Sequence, residues 1–242
     1  MYVRRGVALL AWVAAVVPLL VSGPNATAEA QEAQEAQRTC RGVLATIVGS
    51  GELTGTSGRD VIVATESDTE VRAGGGDDLV CGSRLVRGQS GADEIHFGVE
   101  EPYLEDWYIS GGTGDDTIRF HKKQYHAALG KNRGIFGGPG ADLMVGTRGS
   151  LSFSGGPGDD RLLSGSNNYL LFGDGGDDVL RGGGKQDVMY GGDGDDRLYG
   201  YAGSDDLSGN RGHDEAWGGR NWDICARGNE IEHDCEADDW RD

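Results

Sequence analysis

The sequence lacks the short motifs that mark the common catalytic centres. It contains no nucleophile elbow (G-x-S-x-G), no P-loop and no H-E-x-x-H zinc motif. Its four cysteines show no C-x-x-C spacing, which argues against a zinc site. Basic residues are scarce: 22 lysines and arginines stand against 40 aspartates and glutamates, for a formal charge of −18. Such an acidic chain repels nucleic acid and anionic membranes, and it attracts cations.

Long apolar runs are also scarce, since the sequence has one, near its start. Arg4 and Arg5 precede an apolar run from Gly6 to Val21. This run is shorter than the ~20 residues that a membrane-spanning helix needs. The pattern predicts a secretory signal peptide over residues 1–30, and hence a secreted, extracellular protein without a membrane span. Residues 31–45 are expected to form a flexible spacer and an N-terminal cap.

Glycine is abundant, with 44 residues, and the glycines recur at a fixed period. From Gly137 to Ala226 the chain divides without a gap into ten nonapeptides, among them GGPGADLMV, GGPGDDRLL and GGDGDDRLY. Units of the same pattern occur upstream at 55–63, 73–81, 88–96 and 111–119. The shared pattern is G-G-x-G-x-D-x-U-x, in which U is a large apolar residue. This order argues against disorder, which the charge and glycine content alone would allow.

Across residues 46–226 the chain resembles the RTX, or hemolysin-type, calcium-binding repeat proteins. The resemblance implies an all-β fold: a right-handed parallel β-roll (a β-helix or solenoid) in which each nonapeptide forms half a coil. Positions 1 to 6 would form a turn, with glycines at positions 1, 2 and 4 for positive φ, and positions 7 to 9 a short strand. The position-6 aspartate supplies the oxygen that calcium prefers, so several Ca²⁺ ions would lie between stacked turns.

The interrupted N-terminal half can be placed in the same register. The inward residues then fall into two columns of ten, which predict about ten turns. The first column is Leu44, Ile62, Val80, Ile95, Ile118, Met144, Leu162, Leu180, Leu198 and Ala216. The second column is Leu53, Val71, Val86, Ile109, Ile135, Phe153, Leu171, Met189, Leu207 and Cys225. All interruptions lie on one edge of the roll, with irregular loops over 82–136, and the opposite edge stays regular.

The regular edge carries the aspartates that we expect to hold calcium. They are Asp60, Asp78, Asp93, Asp116, Asp142, Asp160, Asp178, Asp196 and Asp214. On the irregular edge, aspartate occupies position 6 only at Asp187, Asp205 and Asp223. Lys185 and Asn221 replace the position-4 glycine there, which should weaken these sites. The stacked ligands leave eight gaps on one edge and two on the other, an upper bound of ten ions. The position-5 aspartates, such as Asp177, should face solvent without ligating an ion.

The four cysteines fit an exported protein with disulfide bonds. Cys225 and Cys235 lie ten residues apart. A bridge between them would fold residues 227–242 back as a C-terminal cap over the open end of the roll. Cys40 and Cys81 would then tie down the N-terminal end. The two other pairings would each join opposite ends of a long rod.

These features predict an extracellular calcium-binding repeat protein with a structural or interaction role, which folds on calcium binding and is not an enzyme. The large RTX toxins and proteases join such repeats to a functional domain and carry an uncleaved C-terminal signal, so neither activity is implied. The alternative is a polysaccharide-binding or polysaccharide-modifying β-helix protein that uses the irregular-edge loops. Those loops carry Trp107, Tyr108, His121 and His126, side chains able to bind sugars or to transfer protons. An extracellular glycan or a cell-surface component would then be the partner.

Overall fold

The computed structural model describes residues 38–97, 107–121, 133–147, 152–166, 169–226 and 229–235. All of them belong to the unit formed by residues 35–242. The predicted signal peptide, most of the irregular loops and the end of the predicted C-terminal cap lie outside the described residues. Within these ranges the chain forms strands and turns only, and it contains no helix that could cross a membrane.

Apart from a short N-terminal hairpin, the described strands form two sheets. The hairpin consists of β1 (Thr39–Cys40) and β2 (Val43–Leu44), which pair antiparallel. The odd-numbered sheet has eleven strands among the described residues: β3 (Ile47–Gly49), β5 (Val61–Ala64), β7 (Leu79–Cys81), β9 (Glu94–Phe97), β11 (Thr117–Phe120), β13 (Leu143–Val145), β15 (Arg161–Leu163), β17 (Val179–Arg181), β19 (Arg197–Ala202), β21 (Asp214–Arg220) and β23 (Asn229–His233). The even-numbered sheet has ten, counted in the same way: β4 (Glu52–Thr54), β6 (Glu70–Gly75), β8 (Leu85–Ser90), β10 (Trp107–Thr113), β12 (Arg133–Phe136), β14 (Ser152–Pro157), β16 (Leu170–Gly175), β18 (Val188–Asp193), β20 (Asp206–Arg211) and β22 (Ile224–Cys225).

Successive strands along the chain alternate between the two sheets, and neighbours within each sheet are parallel. Leu162, Leu180 and Leu198 lie directly opposite one another on three adjacent strands of the odd-numbered sheet. Their spacing of 18 residues is two nonapeptides, so one full coil separates neighbouring strands. The predicted all-β parallel β-roll is therefore confirmed.

The core lies between the two sheets and is built mainly from members of the two predicted columns. From Ile62 and Val71 onward, every column member is at most 4% exposed. The residue after each strand centre faces outward, as the alternation of side chains along a strand requires. Burial of apolar surface contributes about 25 cal/mol per Å² to the free energy of folding and is its dominant favourable term.

One member of the first column was predicted wrongly. Leu44 is 60% exposed and belongs to the N-terminal hairpin. Ile47 instead lies opposite Ile62 and packs against the core. The hairpin takes Leu44 out of the coil because its partner strand ends at Cys40, which is buried and covalently tied to Cys81. The first step of the column is thus shorter than the repeat predicts.

Both predicted disulfide bonds are present. Cys40 is joined to Cys81 with a Cα–Cα distance of 5.7 Å, and Cys225 to Cys235 with 5.8 Å. The second bond brings the chain after the last repeat back against the roll. There β23 extends the odd-numbered sheet by pairing parallel with β21. The exposed edge of the last repeat strand in that sheet is thereby covered by one further strand.

Aromatic side chains fill the core beside the irregular edge, which the repeat pattern did not predict. Phe97 and Phe120 end two neighbouring strands, are 1% and 2% exposed, and their ring centroids lie 5.0 Å apart. Phe153 and Tyr169 form a second buried pair with centroids 5.6 Å apart. These rings belong to the same core cluster as the two columns.

Candidate metal-binding edges

The aspartates of the regular edge form an unbroken stack of hydrogen bonds. The backbone N–H of each donates to Oδ1 of the aspartate one turn later, from Asp60 to Asp78 and onward to Asp214, over 2.7–2.9 Å. All nine are buried, with 0–6% exposure. The stack also crosses the interruptions, since Asp93 bonds Asp116 across 23 residues and Asp116 bonds Asp142 across 26. The predicted regular edge is therefore continuous where the opposite loops vary.

The second carboxylate oxygen of most of these aspartates is buried without a hydrogen bond. On the regular edge, Oδ2 accepts no hydrogen bond from any described residue at Asp78, Asp93, Asp116, Asp142, Asp160, Asp178 and Asp196. A buried polar atom without a partner costs free energy, the more so if it carries charge. A column of such oxygens requires either protons or cations to compensate it.

The position-1 glycines leave room for these oxygens. A Cβ atom added at Gly173 would lie 2.1 Å from Oδ2 of Asp178 and 2.4 Å from the carbonyl oxygen of Gly191 on the next turn. The sequence pattern predicted positive φ at this position, and this was wrong, because no position-1 glycine in the described turns has it. Glycine is needed here for space, so that a carboxylate oxygen and a carbonyl oxygen can lie side by side.

On the regular edge after its first turn, positions 2 and 4 have the left-handed backbone, as predicted, whereas Gly58, Gly183 and Gly203 at these positions elsewhere do not. Gly192 at position 2 has φ 131°, and Gly176 at position 4 has φ 122°. An added Cβ at Gly176 would lie 2.3 Å from the carbonyl oxygen of Gly158 on the preceding turn. Some residues other than glycine also have positive φ at position 2, such as Asp174 and Tyr201. The turn geometry is therefore imposed by stacking and is not a consequence of glycine alone.

Burial raises the pKa values of the stacked carboxyl groups, and hydrogen bonds from the preceding turn oppose this only in part. The pKa rises to about 6 for Asp78, Asp93, Asp142, Asp187 and Asp196, to about 7 for Asp116, Asp160 and Asp205, and to about 8 for Asp178. Neighbouring aspartates add to the increase at Asp178, since Asp196 and Asp160 both carry like charge. Without cations, the fold thus disfavours the ionised form of its own edge.

Asp60, the first member of the stack, is an exception. Burial would raise its pKa, but hydrogen bonds from Thr56 and Thr46 outweigh this and lower it. Its Oδ2 accepts the backbone N–H and the hydroxyl of Thr56 at 2.6 and 2.9 Å, and its Oδ1 accepts the hydroxyl of Thr46 at 3.1 Å. Asp60 is satisfied by the protein itself and is the weakest candidate ligand of its edge.

The irregular edge repeats the arrangement over its last turns. The backbone N–H of Tyr169 donates to Asp187, that of Asp187 to Asp205, and that of Asp205 to Asp223, each over 2.8–2.9 Å. Oδ2 of Asp205 accepts no hydrogen bond from the described residues, whereas Oδ2 of Asp187 accepts the N–H of Gly183 at 2.8 Å. Tyr169 occupies an aspartate position, with its ring buried, and burial raises its pKa to about 12.

The position-5 aspartates are exposed, as predicted, but they are also bonded between turns. Oδ1 of Asp159 accepts the backbone N–H of Asp177, and Oδ1 of Asp177 accepts that of Asp195, both at 2.9 Å. In the same way, Oδ1 of Asp195 accepts the backbone N–H of His213 at 2.9 Å. Position 5 therefore forms a second, solvent-exposed ladder, which points in the opposite direction along the chain from the buried one.

The donor set of each gap suits a hard cation. Within the described parts of the chain, no group of three or more His, Cys, Asp or Glu side chains is placed to hold a metal ion by itself. An ion between two turns would therefore need backbone carbonyl oxygens as well as carboxylates. Calcium accepts this mixture in flexible geometry, at 6–8 oxygens, whereas zinc prefers nitrogen and sulfur.

The model of the RTX calcium-binding nonapeptide repeat (4 copies) matches residues 54–84, 108–119, 136–171, 172–207 and 199–229, more than half of the chain. The chain belongs to the RTX calcium-binding repeat family. It is accordingly a calcium-binding repeat protein. No curated protein gives a significant match to the sequence.

Two of the ligand residues predicted for the irregular-edge loops, Tyr108 and His121, have described side chains. Tyr108 is 39% exposed, and its ring lies 5.5 Å from that of Phe136, with the Arg87 guanidinium 5.4 Å from its centroid. His121 is exposed and contacts another histidine, His96. The side chain of Trp107 and all of His126 lie outside the described residues. A glycan site on these loops stays a prediction.

Proposed function

We propose that this RTX protein is an extracellular calcium-binding protein with a structural or interaction role, and that it folds when calcium binds. The observation that carries the proposal is the column of buried aspartates, each of which uses one carboxylate oxygen within the protein and leaves the other unsatisfied. A cation between turns would compensate those oxygens and allow the carboxylates to stay ionised.

The proposed ligands are the position-6 aspartates together with backbone carbonyls of the adjoining turns. Around Asp178, the position-1 glycine brings Oδ2 close to the carbonyl of Gly191. Bound calcium would supply positive charge where two turns present only oxygen atoms. The chain supplies the fixed turn geometry, since its left-handed positions hold the carbonyls close to the next turn.

The sites should differ in strength. The gap between Asp60 and Asp78 is expected to be the weakest on the regular edge, because both oxygens of Asp60 already accept hydrogen bonds. On the irregular edge, the gap between Asp205 and Asp223 should bind calcium more tightly than the gap between Asp187 and Asp205. The reason is that Oδ2 of Asp187 already accepts the Gly183 N–H. This ranking leaves seven strong calcium sites among the eight gaps of the regular edge. With the two gaps of the irregular edge, the upper bound is ten sites.

An extracellular location fits the same chemistry. Two disulfide bonds require an oxidising compartment during folding, and the predicted signal peptide would deliver the chain there. Extracellular calcium modules commonly bind at about 10⁻⁴–10⁻³ M, so the protein would stay unfolded inside the cell and fold outside. A role in structure or interaction is proposed because the described aspartate edges offer carboxylate and carbonyl oxygens that suit an ion.

The test is a count of bound ions by equilibrium dialysis and elemental analysis at millimolar calcium. We expect about seven to ten calcium ions per chain. Magnesium in place of calcium should give few, because it demands near-octahedral geometry and dehydrates reluctantly. A count of one or two calcium ions, or equal occupancy by magnesium, would refute the assignment of the aspartate columns.

A further inference from the structure

A cluster of one carboxylate and two imidazoles lies on the outer face of the odd-numbered sheet, and none of its residues belongs to either aspartate column. Glu94 and His96 point outward from β9, and His121 follows β11, the next strand. His96 Nε2 lies 2.7 Å from Glu94 Oε1, and His96 Nδ1 lies 2.8 Å from His121 Nε2. The RTX pattern specifies none of these three residues.

The two imidazoles meet through their nitrogen-bearing edges. Their rings are nearly parallel, at 5°, and the centroids are 5.1 Å apart while the two nitrogens are only 2.8 Å apart. His96 is 6% exposed, whereas His121 is exposed. One ring is thus fixed within the protein, and its neighbour can adjust from the solvent side.

Glu94 determines which nitrogen of His96 is available. With its proton on Nε2, His96 donates to Glu94, and Nδ1 is then the acceptor that faces His121. A carboxylate that binds the far nitrogen of a histidine is the usual support of a metal-ligating imidazole, because it fixes the tautomer and the ring orientation. Burial lowers the pKa of His96, which favours the neutral imidazole that metals require.

We propose that His96 Nδ1 and His121 Nε2 form a binding site for a divalent transition metal, Zn²⁺ or Cu²⁺, with Glu94 as the positioning residue. Tetrahedral ligation at about 2.0–2.1 Å places two nitrogens about 3.3 Å apart. His121 must therefore move outward by about half an ångström, and its proton moves to Nδ1. Two protein ligands leave the remaining coordination positions to water.

The site differs chemically from the calcium edges. Imidazole nitrogens suit zinc and copper, and copper is bound most tightly among the divalent first-row metals, whereas calcium takes oxygen. Arg41 lies 3.4 Å from His96 Nε2, and its charge opposes a cation nearby. Glu94 offsets that charge through an ion pair with Arg41 at 2.5 Å. Binding should therefore be measurable while calcium saturates the roll.

The test uses the untagged full chain in saturating calcium, titrated with Cu²⁺ and followed by electron paramagnetic resonance. One equivalent should give a spectrum with nitrogen hyperfine structure. His121→Ala should abolish this signal, whereas His213→Ala, at an exposed histidine elsewhere on the roll, should leave it intact. Circular dichroism in calcium checks that both variants fold.

Glu94→Gln adds a test of orientation. It removes the carboxylate and should weaken copper binding by about tenfold or more. A copper spectrum without nitrogen hyperfine coupling would overturn the site. Tight binding of one equivalent of Cu²⁺ to the His121→Ala variant would also overturn it. An unchanged affinity in Glu94→Gln would overturn the role of Glu94.

Discussion

The backbone N–H of Asp178 donates to Oδ1 of Asp196 at 2.8 Å, and Oδ2 of Asp196 accepts no hydrogen bond from the described residues. The two oxygens of one carboxylate thus serve different purposes. One joins consecutive turns within the protein, and the other remains for an ion. Because this division recurs along the regular edge, the roll can be stacked in its final register and still depend on cations for its stability.

The first prediction distinguishes the buried ladder from the exposed one. Asp178→Asn keeps an acceptor for the N–H of Asp160 but removes the charge shared by two gaps. We expect the calcium count to fall by one to two and the calcium concentration at the folding midpoint to rise. Asp177→Asn is the matched control, since the Asp177 side chain is exposed and accepts only the N–H of Asp195 among the contacts described. Equal losses in both variants, measured by dialysis, would mean that the ligand register is wrong.

The second prediction concerns pH in the absence of calcium. Burial raises the folded-state pKa values of the stacked aspartates from 3.8 to about 6–8. A raised carboxyl pKa means that the folded state binds protons more tightly, so stability is greatest at low pH and is lost as pH rises toward those values. Calcium-free protein should therefore gain β signal in circular dichroism between pH 8 and pH 5.5, above the sequence pI of about 4.5.

When calcium is present, lower pH should weaken calcium binding, because protons compete with the ions for the same carboxylates. The calcium concentration at half-occupancy, measured by dialysis, should therefore increase as pH falls below about 7. A calcium-free chain that is most ordered at pH 8 would contradict the proposed cost of the buried carboxylates.

The third prediction concerns the end of the second aspartate column. Tyr169 lies one turn before Asp187 and donates its backbone N–H to that carboxylate. Tyr169→Asp should create one additional gap and raise the calcium count by one, while it lowers stability without calcium because a buried ring is lost. Tyr169→Phe keeps the ring and should leave the count unchanged. Elemental analysis that shows the same count in Tyr169→Asp and the parent chain would contradict this interpretation.

The fourth prediction concerns the C-terminal bridge. Cys235→Ser should destabilise the last turns by about 2–3 kcal/mol, the value expected for a short closed loop. Hydrogen exchange in saturating calcium should then show lower protection at residues 200–226 and unchanged protection near Asp142. Cys81→Ser, which opens the N-terminal bridge, is the control and should spare residues 200–226. Full protection of those residues in Cys235→Ser would show that the bridge does not cap the roll.

Much of this structure could be predicted because the repeat constrains it. A nine-residue unit with side chains alternating along each strand fixes which residues face inward, and Phe153 and Leu171 lie opposite each other as the spacing predicts. The error at Leu44 arose where the repeat stops, since a hairpin of ordinary residues carries no periodic signal.

The details of the site were harder to predict because they depend on contacts between turns. Asp60 accepts one hydrogen bond from Thr56, in its own turn, and another from Thr46, which precedes the first repeat unit. The pair of His96 and His121 is separated by 25 residues and meets only because strands β9 and β11 are in register. The spacing placed these strands side by side, but it could not show that Glu94 would orient one of the imidazoles.

The measurement that tests the account most directly is far-ultraviolet circular dichroism of the disulfide-bonded chain at pH 7.5. In EDTA, the account predicts little β signal, because several buried carboxylates would be ionised and uncompensated. Addition of millimolar calcium should restore the full β signal in a cooperative transition, and magnesium should not. A full β signal in EDTA at this pH, unchanged by calcium, would contradict the claim that ion binding folds the roll.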